Sequence, residues 1–358
     1  MSWLPPDEDD DEAFETWDER DVHVRPNPKA NKPRTKTRPQ HDDAIVGRVL
    51  SVDRGRYTVL AAEDTPDERV LTTTRARELR DQGQIVTGDR VRLVGDTSGD
   101  EGSLARIVRI EERSSLLRRS GDDTDAFERI IVANADQLLI VVAAANPEPR
   151  PRLVDRYLVA AYDAGVAPIM VITKTDLADP APFLANFAGL DIPVVFSSQN
   201  AEGVTVPPLD ELTPMLDGHT TVAVGHSGVG KSTLVNALVP GTDRAVGIVN
   251  AVTGRGRHTS SSTVSLRVPT GGWIIDTPGV RSFGLGHVNP DNILRSFTDL
   301  AVVIADCPRG CTHLADAPDC ALDEAIADGR VTAERVDSAR RLLQTLSAAG
   351  DRRDTRPE

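Results

Sequence analysis

Cysteine is scarce. The chain has three in 358 residues, at 307, 311 and 320, which excludes a disulfide framework and points to something local. Aromatic residues make up 4%, and the longest apolar run, residues 138–145, falls far short of the ~20 residues that cross a bilayer. No signal peptide or membrane segment is legible, so a cytoplasmic protein is the expectation. Positive charge is also in deficit: at a net charge of −14 no global basic field draws the chain onto nucleic acid, and any such contact must be local. What is present is ample core material, 39% hydrophobic, in a chain long enough for two or three domains.

Residues 1–43 read as an arm without a core, rich in charge and proline and poor in aliphatic side chains. Residues 7–19 hold nine acids and no base, whereas residues 20–38 hold seven Lys and Arg against one acid, Asp21. The basic run reads either as an RNA-phosphate arm or as a solvated tail.

Residues 44–113 carry five short runs of strand character, at 45–50, 57–60, 69–72, 89–94 and 105–110, separated by turn signals. Their number and length predict an all-β, OB-fold-like barrel. Tyr57 is its only aromatic residue, so base stacking is a weak prospect. Arginine contact to an RNA backbone and docking to a protein are both open. The basic stretch 113–119 reads as a linker.

From about residue 126 apolar strands alternate with helices, at 137–144, 152–163, 167–172 and 193–196, which predicts an α/β domain over residues 114–290 around a mostly parallel sheet. Residues 225–232, GHSGVGKS, fit the phosphate loop G-x-x-x-x-G-K-[ST] between a strand at 221–224 and a helix from 232. Gly225, Gly228 and Gly230 let the backbone curl so that N–H groups, with those of Ser227 and Val229, point at an anion. Lys231 is then the contact to the β- and γ-phosphates, Ser232 the hydroxyl for Mg²⁺, and Thr233 the next residue of the helix that receives phosphate.

The strand at 167–172 ends in Thr173-Lys174-Thr175-Asp176, which matches the guanine motif [NT]-K-x-D. A carboxylate at Asp176 accepts two hydrogen bonds from guanine N1–H and N2–H₂, and adenine offers no such donors. The Lys174 stem lies along the base plane. Thr173 replaces the commoner Asn that braces the phosphate loop, so a weaker hold is expected. Ser197 and Ser198 stand where a backbone contact to guanine O6 is made. Residues 276–279, DTPG, supply Asp276 to orient Mg²⁺ through water and the Gly279 N–H to sense the γ-phosphate. Thr259 is the candidate for the switch threonine that closes over Mg²⁺. His258 beside it is read either as the group that positions water or as a loop residue contacting phosphate or RNA.

The pattern Cys307-x₃-Cys311-x-His313-x₆-Cys320 gathers every cysteine within fourteen residues. Three thiolates and an imidazole make a closed tetrahedral Zn²⁺ site of structural type. Behind it, residues 321–328 and a second segment capped by Thr332 read as helices; Val336, Ala339, Leu343 and Leu346 keep helical spacing and Gly350 marks the end. Arg330, Arg335, Arg340 and Arg341 read as a basic face.

The motif order is inverted relative to ordinary GTPases, with TKTD before the phosphate loop and DTPG last. With a barrel in front and a Cys/His cluster behind, the chain resembles the circularly permuted GTPases of the RsgA family, the ribosome small subunit-dependent GTPases A, over residues 44–345. The family spacing C-x₄-C-x-H-x₅-C differs here by one residue in two gaps, with the outer pair unchanged. The resemblance implies GTP and GDP as ligands, Mg²⁺, one structural Zn²⁺ in a small helical C-terminal domain (residues 291–358), and the small ribosomal subunit with its 16S rRNA as partner. No membrane contact and a monomeric state are expected alongside it. The resemblance also makes the zinc and helical module an rRNA contact, and Val280, apolar where many GTPases have Gln, implies slow intrinsic hydrolysis raised by the subunit. Two rivals stand: a zinc-dependent RNA-binding protein that holds GTP without meaningful turnover, and a P-loop kinase.

Overall fold

The computed structural model describes residues 41, 43–79, 83–120, 128–199, 205–241, 263–277 and 283–354. The arm at residues 1–40 lies outside them.

β1 (Ile45–Asp53), β2 (Arg56–Ala61), β3 (Arg69–Arg75), β4 (Arg90–Gly95) and β5 (Ala105–Ile110) pair in the order β1-β2-β3-β5-β4. A further β1–β4 pairing closes the five strands into a barrel, in which only β3–β5 is parallel. Period-2 alternation sends Val49, Val59, Leu71, Val91, Leu93 and Ile107 inward, each adding roughly 1.5–3 kcal/mol on burial. Tyr57 joins them, so the one aromatic ring of the barrel is buried in its core and offers no stacking surface. On the outside, Arg56, Thr74 and Arg106 share one row across β2, β3 and β5.

Residues 113–119 are not a linker. They run into β6 (Leu116–Ser120), antiparallel to β7 (Glu128–Ala133), with Leu117 and Val132 in the main core. The run Leu-Leu-Arg-Arg-Ser alternates poorly and its partner starts eight residues on, so no local signal marked it.

β8 (Gln137–Ala143) is buried along its whole length, as a central parallel strand covered on both faces must be. Leu138, Ile140 and Val142 face one layer, and Leu139 and Val141 the other. The strands β9 (Ala167–Thr173), β10 (Val194–Phe196), the short pair β11 (Ser198–Gln199) and β12 (Thr205–Val206), β13 (Thr220–Gly225), β14 (Val264–Arg267) and β15 (Trp273–Asp276) complete the set. The sheet runs β10-β9-β8-β13-β15-β14, parallel except for β14. Helix α1 (Pro151–Asp163) packs on one face; α3 (Leu209–Leu216) and α4 (Lys231–Leu238) pack on the other, and the single turn α2 (Ala181–Leu184) follows β9.

The barrel meets this sheet where Ser51 of β1 pairs with Val264 of β14. A polar joint reinforces the seam. The Glu63 carboxylate accepts from Arg48 Nε at 3.1 Å, from the Trp273 indole N–H at 2.8 Å and from Arg90. The Arg48 and Arg267 guanidiniums lie 5.0 and 5.5 Å from the Trp273 ring centre.

Helices α5 (Pro290–Arg295), α6 (Thr298–Val303), α7 (Ala321–Ala327) and α8 (Ala333–Asp354) share the core of α1 and the sheet, through Leu294, Phe297, Leu322, Val336 and Leu343 among others. Thr332 Oγ1 accepts the Arg335 N–H at 3.2 Å and caps α8 as expected, but the helix runs through Gly350 to Asp354. Of the expected basic face, Arg330 precedes α8 and stays exposed beside Asp328, while Arg335, Arg340 and Arg341 on the helix turn toward neighbouring elements. Arg335 pairs with Asp299 and Asp191 and lies over Phe297, Arg341 pairs with the buried Asp155 of α1 and lies over Phe187, and Arg340 pairs with Asp323. Arginines spaced along an amphipathic helix fit a solvent face or pairing with acids on packed neighbours equally well, and only the acids on other elements decide between the two.

Candidate nucleotide site and cysteine–histidine cluster

The parallel strands β8, β9, β13 and β15 all end at one edge, so the loops that follow them meet there. β13 stops at Gly225 and α4 starts at Lys231. A Cβ on Gly225 would lie 2.5 Å from the Val141 carbonyl oxygen of β8, so only glycine passes this point. Gly228 and Gly230 take φ of +83° and +95°.

Two side chains from the TKTD turn hold the loop's carbonyls. Thr173 Oγ1 donates to the Val229 oxygen at 2.6 Å, and Lys174 Nζ donates to the Gly228 oxygen at 2.8 Å and to the Asn146 oxygen. Threonine therefore supplies the brace that its replacement of Asn was expected to forfeit, because its hydroxyl reaches the loop from a buried position. With these carbonyls anchored, the N–H groups of Ser227, Gly228 and Gly230 have no acceptor among the described residues, and α4 begins without a side-chain cap. Ser232 and Thr233 are exposed in its first turn. Uncapped donors at a helix N-terminus are the chemistry that takes phosphate.

Lys231 Nζ forms an ion pair with Asp276, at the end of β15, and the next residue, Thr277, donates its hydroxyl to the Ala223 carbonyl at 2.8 Å. Asp176 Oδ1 accepts the Gln199 N–H at 2.9 Å, while Oδ2 has no partner among the described residues. Thr175 donates through both N–H and Oγ1 to the Ser197 oxygen at 3.3 Å, so the TKTD turn and the Ser197–Ser198 loop are stitched together. Thr173, Lys174, Asp176, Ser197, Ser198, the 225–233 loop and Asp276 thus lie along this one edge. His258, Thr259 and Gly279 lie outside the described residues. Sequence reasoning missed Asn146 and Gln199, which act through backbone atoms; the signal for Asn146 was its place just past the end of a parallel strand.

The Thr173 brace has a measurable worth. Thr173→Val keeps the shape and leaves the Val229 carbonyl unpaired, at about 1–3 kcal/mol, so nucleotide affinity is expected to fall by about 10- to 100-fold. Thr173→Asn restores it. Titration with a fluorescent GDP analogue reads both, and an unchanged Val variant removes Thr173 from the loop's support.

At the other end of the chain, the ligand atoms of Cys307, Cys311, His313 and Cys320 all lie within 4.8 Å of one another. The Cys307 and Cys320 sulfurs are 4.0 Å apart, against about 3.8 Å for two thiolates on one tetrahedral Zn²⁺. His313 Nδ1 is buried without a hydrogen-bond partner among the described residues, and burial pushes the Cys307 thiol up to about 11. A buried orphan nitrogen beside three sulfurs fits a zinc ion, which these four residues would hold and which would tie residues 307–320 into one knuckle. Cys311→Ser is expected to lose the bound zinc and, because Cys320 packs in the main core, to lower Tm by about 10 °C. Metal analysis alongside a thermal melt checks it; wild-type Tm with no metal would refute the reading.

Residues 110–286 match the family model described as RsgA GTPase. A curated protein of Pseudomonas aeruginosa, named small ribosomal subunit biogenesis GTPase RsgA, is 39% identical over 269 residues, spanning 73% of this chain and 76% of its own length. The protein of the same name from Pseudomonas syringae pv. syringae is 40% identical over 270 residues, covering 73% and 75%. Among solved structures, YjeQ from Thermotoga maritima is 25% identical at a TM-score of 0.59, covering 85% of this chain and 99% of its own. YloQ, titled a circularly permuted GTPase, superposes with a TM-score of 0.60 at 24% identity, covering 89% and 98%, and supports the fold. A relative 39% identical over 73% of the chain, with the family model matching across the nucleotide domain, settles the kinship: the chain belongs to the RsgA family of GTPases.

Proposed function

We propose that this chain binds GTP at the loop edge of its parallel sheet, hydrolyses it to GDP and phosphate, and does so on the small ribosomal subunit late in that subunit's maturation. The observation that carries the reading is the direct hydrogen bonding of Thr173 and Lys174 to the phosphate loop, which makes base motif and phosphate motif one site despite their inverted order.

Asp176 is the guanine acceptor, with Oδ2 open to the base while Oδ1 stays on Gln199. Ser197 and Ser198 flank the O6 side. Ser227, Gly228, Val229, Gly230, Ser232 and Thr233 contribute loop and helix amides to the phosphates. Lys231, now on Asp276, exchanges that carboxylate for the β- and γ-phosphates. Ser232 and Thr259, with Asp276 acting through water, would hold Mg²⁺, which would offset charge on the phosphates. Gly279 and Thr259 respond to the γ-phosphate, and His258 positions water.

For the partner, Arg56 and Arg106 on the outer barrel row are suited to an rRNA phosphate backbone, whereas the arginines of α8 are committed inward. Among the described residues no helix is long and apolar enough to cross a membrane. The chain works in the cytoplasm, where its ribosomal partner is, and as a monomer.

Phosphate release from GTP and from ATP, each with purified small or large subunits, tests the proposal. Release from GTP alone, stimulated about 10³-fold or more by small subunits alone, is the expected result. A uniformly negligible rate would replace turnover with a structural role for GTP, and use of ATP would favour the kinase.

A further inference from the structure

Arg340 is almost fully buried on α8, yet no step of nucleotide chemistry uses it. Its guanidinium spans the two halves of the cysteine–histidine knuckle. Nε donates to the main-chain oxygen of His313 at 3.1 Å, and Nη2 donates to both Asp323 oxygens at 2.9 and 3.0 Å. His313 sits at φ +59°, a conformation that side-chain-bearing residues rarely hold without outside support. Asp323 lies in the first turn of α7, whose N-cap residue is Cys320. One planar fork therefore fixes the backbone at one ligand and the helix start at another, across a gap of ten residues, 313 to 323. Its charge has the right sign as well: three thiolates around a divalent ion leave a net negative centre beside a buried cation.

We infer that Arg340 is the positioning residue of the zinc site: it holds His313 and the Cys320 end of α7 in register for the metal and so sets zinc affinity, binding the terminal helix to the knuckle. This goes beyond the nucleotide reading and rests only on the zinc reading of the cluster. Groups that orient metal ligands from outside the coordination sphere typically contribute 10- to 100-fold in affinity.

The test is zinc affinity by competition with a chromophoric chelator, together with the visible spectrum of the Co²⁺-substituted protein, for wild type, Arg340→Met and Arg335→Met. Arg335 sits on the same helix and docks it through Asp299 and the Gly189 carbonyl without touching the knuckle. Arg340→Met is expected to weaken zinc about 10- to 100-fold and to alter the cobalt ligand-field bands. Arg335→Met should lower Tm and leave affinity and spectrum at wild type. Unchanged zinc affinity in Arg340→Met, or equal losses in both variants, overturns the inference. If Arg340→Met does not fold, Asp323→Asn replaces it: weakened zinc supports the role and wild-type affinity rejects it. A wild-type chain that takes up no zinc fails the zinc reading itself, a separate outcome.

Discussion

Asp176→Asn is expected to lower GDP and GTP affinity by about 10³-fold and to raise affinity for xanthosine phosphates. The two Asp176 oxygens differ: Oδ1 takes the Gln199 N–H, and Oδ2 has no partner among the described residues. An asparagine keeps the first contact through its carbonyl, so the Ser197–Gln199 loop stays in place. Its amide N–H₂ then faces the base. Guanine presents donors at N1 and N2, and donor against donor leaves buried groups unpaired, at about 1–3 kcal/mol each. Xanthine carries an oxygen at C2 and accepts. Displacement of a fluorescent nucleotide by GDP and XDP measures both limbs, and a variant that still prefers GDP would take Asp176 out of the base site.

Lys231→Met is expected to reduce subunit-stimulated GTP turnover by at least about 10³-fold. Two effects act in the same direction. The substitution removes the one side-chain cation of the loop that is close to the start of α4, where phosphate charge must be met. It also strips Asp276 of its ion-pair partner, and with both side chains mostly buried the stranded carboxylate repels any anion that approaches. Stability should fall less, by about 1–3 kcal/mol, so Tm and turnover separate loss of fold from loss of chemistry. Retention of a tenth of wild-type turnover would contradict the role given to Lys231.

Most of the architecture was open to a reader of the sequence because short strands with clean alternation declare themselves; residues 105–110 of the barrel match β5 residue for residue. The phosphate loop, the TKTD turn and the cysteine cluster were legible because their chemistry fixes residue types at fixed spacing. What escaped depended on partners distant in sequence. β6 needed β7, the inward arginines of α8 needed Asp155, Asp299 and Asp323, and the Thr173 contact to the phosphate loop needed the Val229 carbonyl, 56 residues away. Helical and strand periods report which face is buried, and they carry no record of which charge waits on the other side.

The meeting of β1 with β14 has a consequence for how the molecule behaves in company. An open sheet has two flanks, each a row of unpaired backbone groups able to recruit a strand from another molecule. Here the barrel sits on the β14 flank through the Ser51–Val264 pair and through Arg267 on Asp64 and Glu68, and, being closed, brings no new flank of its own; among the described residues the other flank ends in β10, three residues long. Cutting the chain before residue 114 would therefore unmask β14 and invite self-association, so the barrel guards the GTPase sheet against aggregation.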